Sequence, residues 1–155
     1  MANLDSIDRR LLSELQDEGR ITNVELAQRV GLTAPPCLRR VRALEDAGVI
    51  QGYHAELDAS HLGFAITVFA MVSLKSQAED ALREFEDHMN GLPEVREVHM
   101  LNGEIDFILK IVSRDLQSFQ EFLTSKLTPA PNVDSVKTSL TIRTSKHEPG
   151  VPLEK

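Results

Sequence analysis

Three arginines fall within four positions, Arg39, Arg40 and Arg42, directly after the double proline Pro35-Pro36. A guanidinium is planar, permanently charged, and able to grip guanine O6/N7 or a phosphate through two parallel hydrogen bonds. A second group of interest lies in "LNGEIDF", where Gly103 permits a tight bend and the carboxylates of Asp106 and Glu104 could accept from an ammonium group. Catalytic chemistry has less to work with. His54, His61, His88, His99 and His147 are scattered, Cys37 has no adjacent base, and no Ser/His/Asp set, Gly-rich phosphate loop or paired-carboxylate motif stands out. No Cys or His pair has zinc-ligand spacing, so neither a metal nor a catalytic residue is expected.

The arginine cluster stands in an acidic chain of 155 residues with net charge −7. The excess acid is not evenly spread. Residues 1–52 carry seven Lys/Arg and eight Asp/Glu, whereas residues 53–155 carry ten and sixteen. Screening limits each charge's reach to about 8 Å in physiological salt, so a local basic patch can bind phosphate on a negative molecule. Hydrophobic content of 41% and charged content of 26% suit a soluble globular protein of one ordinary or two small domains. No apolar run is long enough for a membrane span, and "MANLDSIDRR" lacks the apolar core of a signal peptide. One cysteine fits a reducing cytoplasm.

The elements that must position these residues follow from periodicity. Ile7, Leu11 and Leu15, with Leu4 and Leu12 beside them, make the apolar stripe of a first helix that Asp5 can cap. Thr22-x-x-Glu25 has capping-box spacing and opens a second helix with Leu26, Ala27 and Val30 inward, ended by Gly31. A third helix runs from about Pro35 to Ala47 with Leu38, Val41 and Leu44 inward, which leaves Cys37 and the arginines outward or sideways. Two short helices joined by a glycine turn form a helix-turn-helix, with the motif at about 23–42. "VIQGYHAELD" reads as a short extended segment and "ASHLG" as a hinge.

Beyond Gly63 the period changes. "FAITVFAMVSL", "EVREVHML", "DFILKIVS" and "VDSVKTSLTIRT" read as strands; "AEDALREFEDHM" (Ala78, Ala81, Leu82, Phe85, Met89) and "LQSFQEFLTSKL" (Leu116, Phe119, Leu123, Leu127) read as helices. The order is strand–helix–strand twice, which predicts an α+β, ferredoxin-like βαββαβ domain with both helices on one face of an antiparallel sheet. The other face keeps apolar residues, so burying it needs another subunit. The expected domains are 1–52 (helix-turn-helix), 53–63 (linker), 64–145 (ferredoxin-like) and 146–155 (an irregular arm).

The stretches "LDSIDRRLLSELQDEGRITNVELAQRVGL", "PCLRRVRALEDAGVIQGY" and, more loosely, "GEIDFIL" resemble the Lrp/AsnC family of transcription regulators along essentially the whole chain. The resemblance implies an N-terminal DNA-binding unit and a C-terminal domain for assembly and effector binding. It implies dimers that assemble further to tetramers or octamers and an amino-acid effector such as leucine; no other cofactor and no membrane partner are expected. It also places the "LNGEIDF" segment at the contact between dimers, as part of the effector pocket. This sequence departs from the family pattern at Pro35, at Asn102 and at Phe107.

In a helix-turn-helix the second helix of the pair enters the major groove with its N-terminal residues near base edges. The expected contacts to double-stranded DNA are Thr33, Pro35, Cys37, Arg39, Arg40 and Arg42, with phosphate contacts from Thr22, Asn23 and Arg29. Thr33 is a special case. As an N-cap its hydroxyl would want the N–H of residue 35 or 36, and both are proline, so it is free to bond a phosphate. The expected effector residues are Leu101, Asn102, Gly103, Glu104 and Asp106, with Ser139 and Thr141 on the polar face of the last strand. The bland alternative for the arginines is a solvated face paired with Glu45 and Asp46, and for "LNGEIDF" a plain hairpin turn. A competing class is a tetrapyrrole (sirohaem-type) decarboxylase on the same two-domain plan, which needs histidines and arginines converging on a large pocket. A third is an accessory module without DNA contact, which the arginine cluster disfavours.

Overall fold

The computed structural model describes residues 4–153. The last two positions of the expected arm lie outside the described residues. The chain divides into two compact units, Met1–Glu56 with Lys146–Lys155, and Leu57–Ser145. The arm, expected to stand apart, thus groups with the helical unit.

In the first unit, α1 (Ser6–Asp17), α2 (Asn23–Val30) and α3 (Ala34–Asp46) pack around Leu11, Leu26, Ala27, Val30, Cys37 and Val41. Asp5 and Asp8 cap each other's backbone at the start of α1, a capping box that satisfies two otherwise unpaired N–H groups. The expected box at Thr22/Glu25 is only half made. Thr22 Oγ1 accepts from Glu25 N at 3.3 Å, but the Glu25 carboxylate is taken by Arg29. Gly31 ends α2 at φ +74°, a left-handed conformation in which any other L-residue would be strained. The 53–63 segment contains no strand. Asp58 instead organises a turn by accepting from Ser60 N, Ser60 Oγ and His61 N.

The second unit has the expected architecture. Strands β1 (Ile66–Leu74), β2 (Val95–Met100), β3 (Phe107–Ser113) and β4 (Val133–Leu140) form one antiparallel sheet in the order β2-β3-β1-β4. Helices α4 (Glu79–Asn90) and α5 (Leu116–Phe122), the latter widening into a π-helical turn over Leu123–Leu127, supply Leu82, Phe85, Met89, Phe119, Phe122 and Leu127 to one core. That core takes Val68, Ala70 and Val72 from β1 and Phe107, Leu109 and Ile111 from β3, so both helices cover the same face. Two expected helix positions are not inward. Ala78 is the N-cap of α4, and Leu116, in the first turn of α5, is 60% exposed. On the opposite face the cross-strand pairs Phe69↔Lys110, Met71↔Ile108 and Thr67↔Val112 lie in the middle of the sheet, each only half-buried.

Candidate nucleic-acid interface and effector site

The third helix decides which side chains are offered outward. Its buried residues are Cys37, Val41 and Leu44, whereas Leu38 is 39% exposed. The expectation for Cys37 is therefore corrected: it is fully buried, and burial pushes its thiol pKa up. The reason is geometric. At about 100° per residue, positions 37, 41 and 44 stay within about 60° of one another, while 38, 41 and 44 smear over about 120°. Cysteine is small and apolar enough to fill the tighter stripe.

The same spacing shifted by two residues, Pro35, Arg39 and Arg42, marks the outer face of α3, and all three are exposed. Neither arginine makes an ion pair among the described residues, so the alternative of pairing with Glu45 and Asp46 is not realised; Glu45 accepts instead from the Tyr53 hydroxyl at 2.9 Å. Thr33 is the N-cap residue of α3, exposed, and makes no side-chain capping bond, as the double proline requires.

Other expected contacts are engaged inside the unit. Arg40 Nη1 bonds Asp8 Oδ1 and Asp5 Oδ2 at the head of α1, and these carboxylates push its pKa up. Its side chain is 32% exposed, so Arg40 is a partly exposed clamp between α3 and the head of α1. Arg29 is held by Glu25, Glu14 and Glu18, at 2.9, 3.1 and 2.8 Å. Arg29 thus ties α2 to α1 through Glu14 and Glu18 while its side chain stays 36% exposed. Asn23 Nδ2 donates to the Ala34 carbonyl at 2.8 Å, and its buried Oδ1 has no partner among the described residues. Asn23 thus pins the start of α3 to the start of α2. Thr22 remains exposed beside it.

Arg10 was not foreseen. Its Nη2 donates to the Arg29 carbonyl at 2.8 Å, capping the end of α2. Asp8 was missed as well, although Asp5-x-x-Asp8 has the same spacing as Thr22-x-x-Glu25.

In the second unit Leu101, Asn102, Gly103 and Glu104 are exposed on the turn between β2 and β3. Asp106 is half-buried; its Oδ2 accepts from Leu74 N at 2.7 Å and its Oδ1 from Gln77 Nε2 at 2.9 Å. It therefore anchors the chain leaving β1, with part of its acceptor capacity already used. Ser139 pairs across from Phe69, and Thr141 N bonds Thr67 O at the opposite end of β1. At about 3.3 Å per residue, Thr141 is roughly 20 Å from the Asp106 end. One chain brings 101–106 together and leaves Ser139 and Thr141 apart from them.

No group of three or more His, Cys, Asp or Glu side chains could hold a metal ion among the described residues, and no described helix is long and apolar enough to cross a membrane.

A helix-turn-helix unit with an exposed arginine ridge, joined to a four-stranded ferredoxin-like unit, defines a DNA-binding regulator. Two family models match: a winged helix-turn-helix DNA-binding domain over residues 4–51 and the Lrp/AsnC ligand binding domain over residues 67–151. A leucine-responsive regulatory protein of Rhizobium meliloti is 56% identical over 143 residues, covering 92% of each chain. The Bkd operon transcriptional regulator of Pseudomonas aeruginosa is 41% identical over 153 residues, covering 99% of this chain and all of that one. Among solved structures, a transcriptional regulator of Neisseria meningitidis in complex with L-Met superposes with a TM-score of 0.92 at 35% identity, covering 97% of both chains. The chain belongs to the Lrp/AsnC family of DNA-binding transcriptional regulators. These relatives carry the names of regulators and give no support to the decarboxylase alternative.

Proposed function

We propose that this regulator reads double-stranded DNA through the outer ridge of α3 and responds to an amino acid bound where subunits meet. The observation that carries the DNA half is the exposed face made by Pro35, Arg39 and Arg42, with Thr33 at its start. Arg39 and Arg42 supply charge for base edges or phosphates, while Thr22 and Thr33 offer hydroxyls to the backbone. Arg40, Arg29, Asn23 and Cys37 keep the three helices in register behind that face.

The effector half rests on the Asn102–Asp106 turn and on the L-Met found with the Neisseria relative. Asp106, already holding Leu74 and Gln77, would present a remaining lone pair to an α-ammonium group. Ser139 and Thr141, far from that turn within one chain, could join it only from a neighbouring subunit. The half-exposed Phe69, Met71, Ile108 and Val112 favour a homo-oligomer that covers the open sheet face. A cytoplasmic location and a boundary near residues 53–63 between the reading and assembly domains accord with this scheme. An effector shifts such an equilibrium only by its differential affinity for the assembled states, and linked reading heads amplify the shift through multivalency. The test is a mobility shift with DNA from upstream of the protein's own gene, with and without leucine, methionine and other amino acids. A shift whose pattern or midpoint moves with one of them supports the reading; no shift under any condition removes it.

A further inference from the structure

The carboxy-terminal arm is held to α1 in a way that neither DNA reading nor effector binding requires. Gln16 Nε2 donates to the Val151 carbonyl at 2.9 Å, and Val151 N donates to Gln16 Oε1 at 3.0 Å. A side-chain amide thus mimics a peptide group and pairs both backbone groups of one residue, as a neighbouring strand would. Gly150 makes the approach possible. It adopts φ +81°, and a Cβ there would overlap the Gln16 amide. The dihedral favours glycine here, and a Cβ would have to displace the Gln16 amide and so break its bonds to Val151. Beyond the bonds, Leu153 is half-buried in a cleft with Leu4, Leu12, Leu15, Val49 and Ile50. His147 Nε2 lies 3.5 Å from Glu56 Oε1 at the other end of the segment.

We propose that the outer face of α1 around Gln16 is a docking surface whose occupant is the chain's own arm, residues 149–153, acting as a detachable strap. Each bond is worth little net of competing water, and Val151 is exposed, so attachment is reversible. The arm follows β4 in the chain, so docking gives the effector-binding unit a second tether to the DNA-reading unit besides residues 53–63. Restricting the reading heads in this way raises their effective concentration on spaced half-sites. The last step rests on the regulator reading above; the docking itself does not.

Amide exchange of Val151 in the full chain, read by NMR, tests the docking. Wild-type protein should exchange this proton several-fold more slowly than a free peptide of residues 146–155. Gln16→Ala and Gly150→Ala should both bring it to the peptide rate while α1 amides stay protected. Free-peptide exchange in the wild type, or unchanged protection in both variants, overturns the docking. Mixing Gln16→Ala chains, which keep an arm, with chains ended at Ser145, which keep the surface, tests for a second copy as occupant. The proposal expects no protection in the mixture, and restored protection overturns it. Affinity for the upstream DNA should fall to the same extent, roughly threefold or more, in Gln16→Ala and in the chain ended at Ser145. Equal affinity to wild type overturns the tethering. Wild-type protein that binds no DNA removes the regulator reading and the tethering together, while the exchange result still decides the strap.

Discussion

Arg40 Nη1 lies 2.7 Å from Asp8 Oδ1 and 2.8 Å from Asp5 Oδ2, so one guanidinium ties the third helix to the capping box of the first. Asp5 and Asp8 would repel each other at this separation, and the arginine relieves that. Of the three clustered arginines, the middle one is thus paired within the protein, and the outer two make no ion pair among the described residues.

Salt dependence separates the two kinds of arginine. Removing one charge that neutralises a DNA phosphate should flatten the slope of log K against log salt by about 0.9. Arg39→Gln and Arg42→Gln should flatten the slope where they meet phosphates, and relax base preference where they meet bases. Arg40→Gln should lower the melting temperature and leave the slope unchanged, and Asp8→Asn should reproduce it. A flatter slope in Arg40→Gln with an unaltered melting curve would return Arg40 to the interface.

Acid should destabilise both units over a narrow range. The Asp8 N–H, and then Arg40, hold the Asp5 carboxyl below the usual aspartate value of about 3.9. In the second unit Ser60 and then His61 hold Asp58 at about 2, and Ser118 lowers Asp115. For each group the unfolded chain binds protons more readily, so the stabilisation is complete above pH about 4 and is lost as pH falls through the folded values. Thermal unfolding should change little between pH 7 and 5 on account of these groups, and fall between about 4 and 2. Asp5→Asn should shrink that fall in the helical unit; an identical acid profile would contradict the capping assignment.

Cys37 should be inert in the native chain. A thiol reagent such as Ellman's should modify less than a tenth of a thiol per chain in the time that denatured protein reacts fully, because access requires opening of the helical core. Immediate reaction would place Cys37 back on the surface of α3.

Asp106 should behave as both anchor and binding group. Asp106→Ala should speed exchange of the Leu74 amide and abolish the calorimetric signal of the amino acid that shifts the DNA complex. Gln77→Ala should leave most of that signal. Full binding in Asp106→Ala would remove the carboxylate from the effector site.

Much of this was legible in the sequence because burial imposes a period. The alternation expected over 133–144 is realised as a strand over Val133–Leu140, in which Val136 faces Val72 in the core while Lys137 faces Met71 on the open side, and Ile142 lies beyond it, exposed. The free Thr33 hydroxyl follows from two prolines that cannot donate. The sequence is silent where a polar side chain has two uses. Arg40 and Arg29 have the right chemistry for phosphate, but whether they meet DNA or a carboxylate depends on Asp5, Asp8 and Glu14, brought close only by the packing of α1. Leu38 and Cys37 trade places because hydrophobicity favours leucine for the core while helical spacing favours cysteine, and spacing wins. The docking of Val151 on Gln16 joins residues 135 positions apart, and nothing local encodes it.

The most direct test of the account is an anisotropy titration of labelled upstream DNA with the Arg39→Ala/Arg42→Ala chain, its fold checked by circular dichroism. Two outward arginines worth about 1–3 kcal/mol each at a base-reading position predict a loss of at least tenfold in affinity with an unchanged spectrum. Affinity within about twofold of wild type would mean that the Pro35–Arg39–Arg42 ridge does not face DNA.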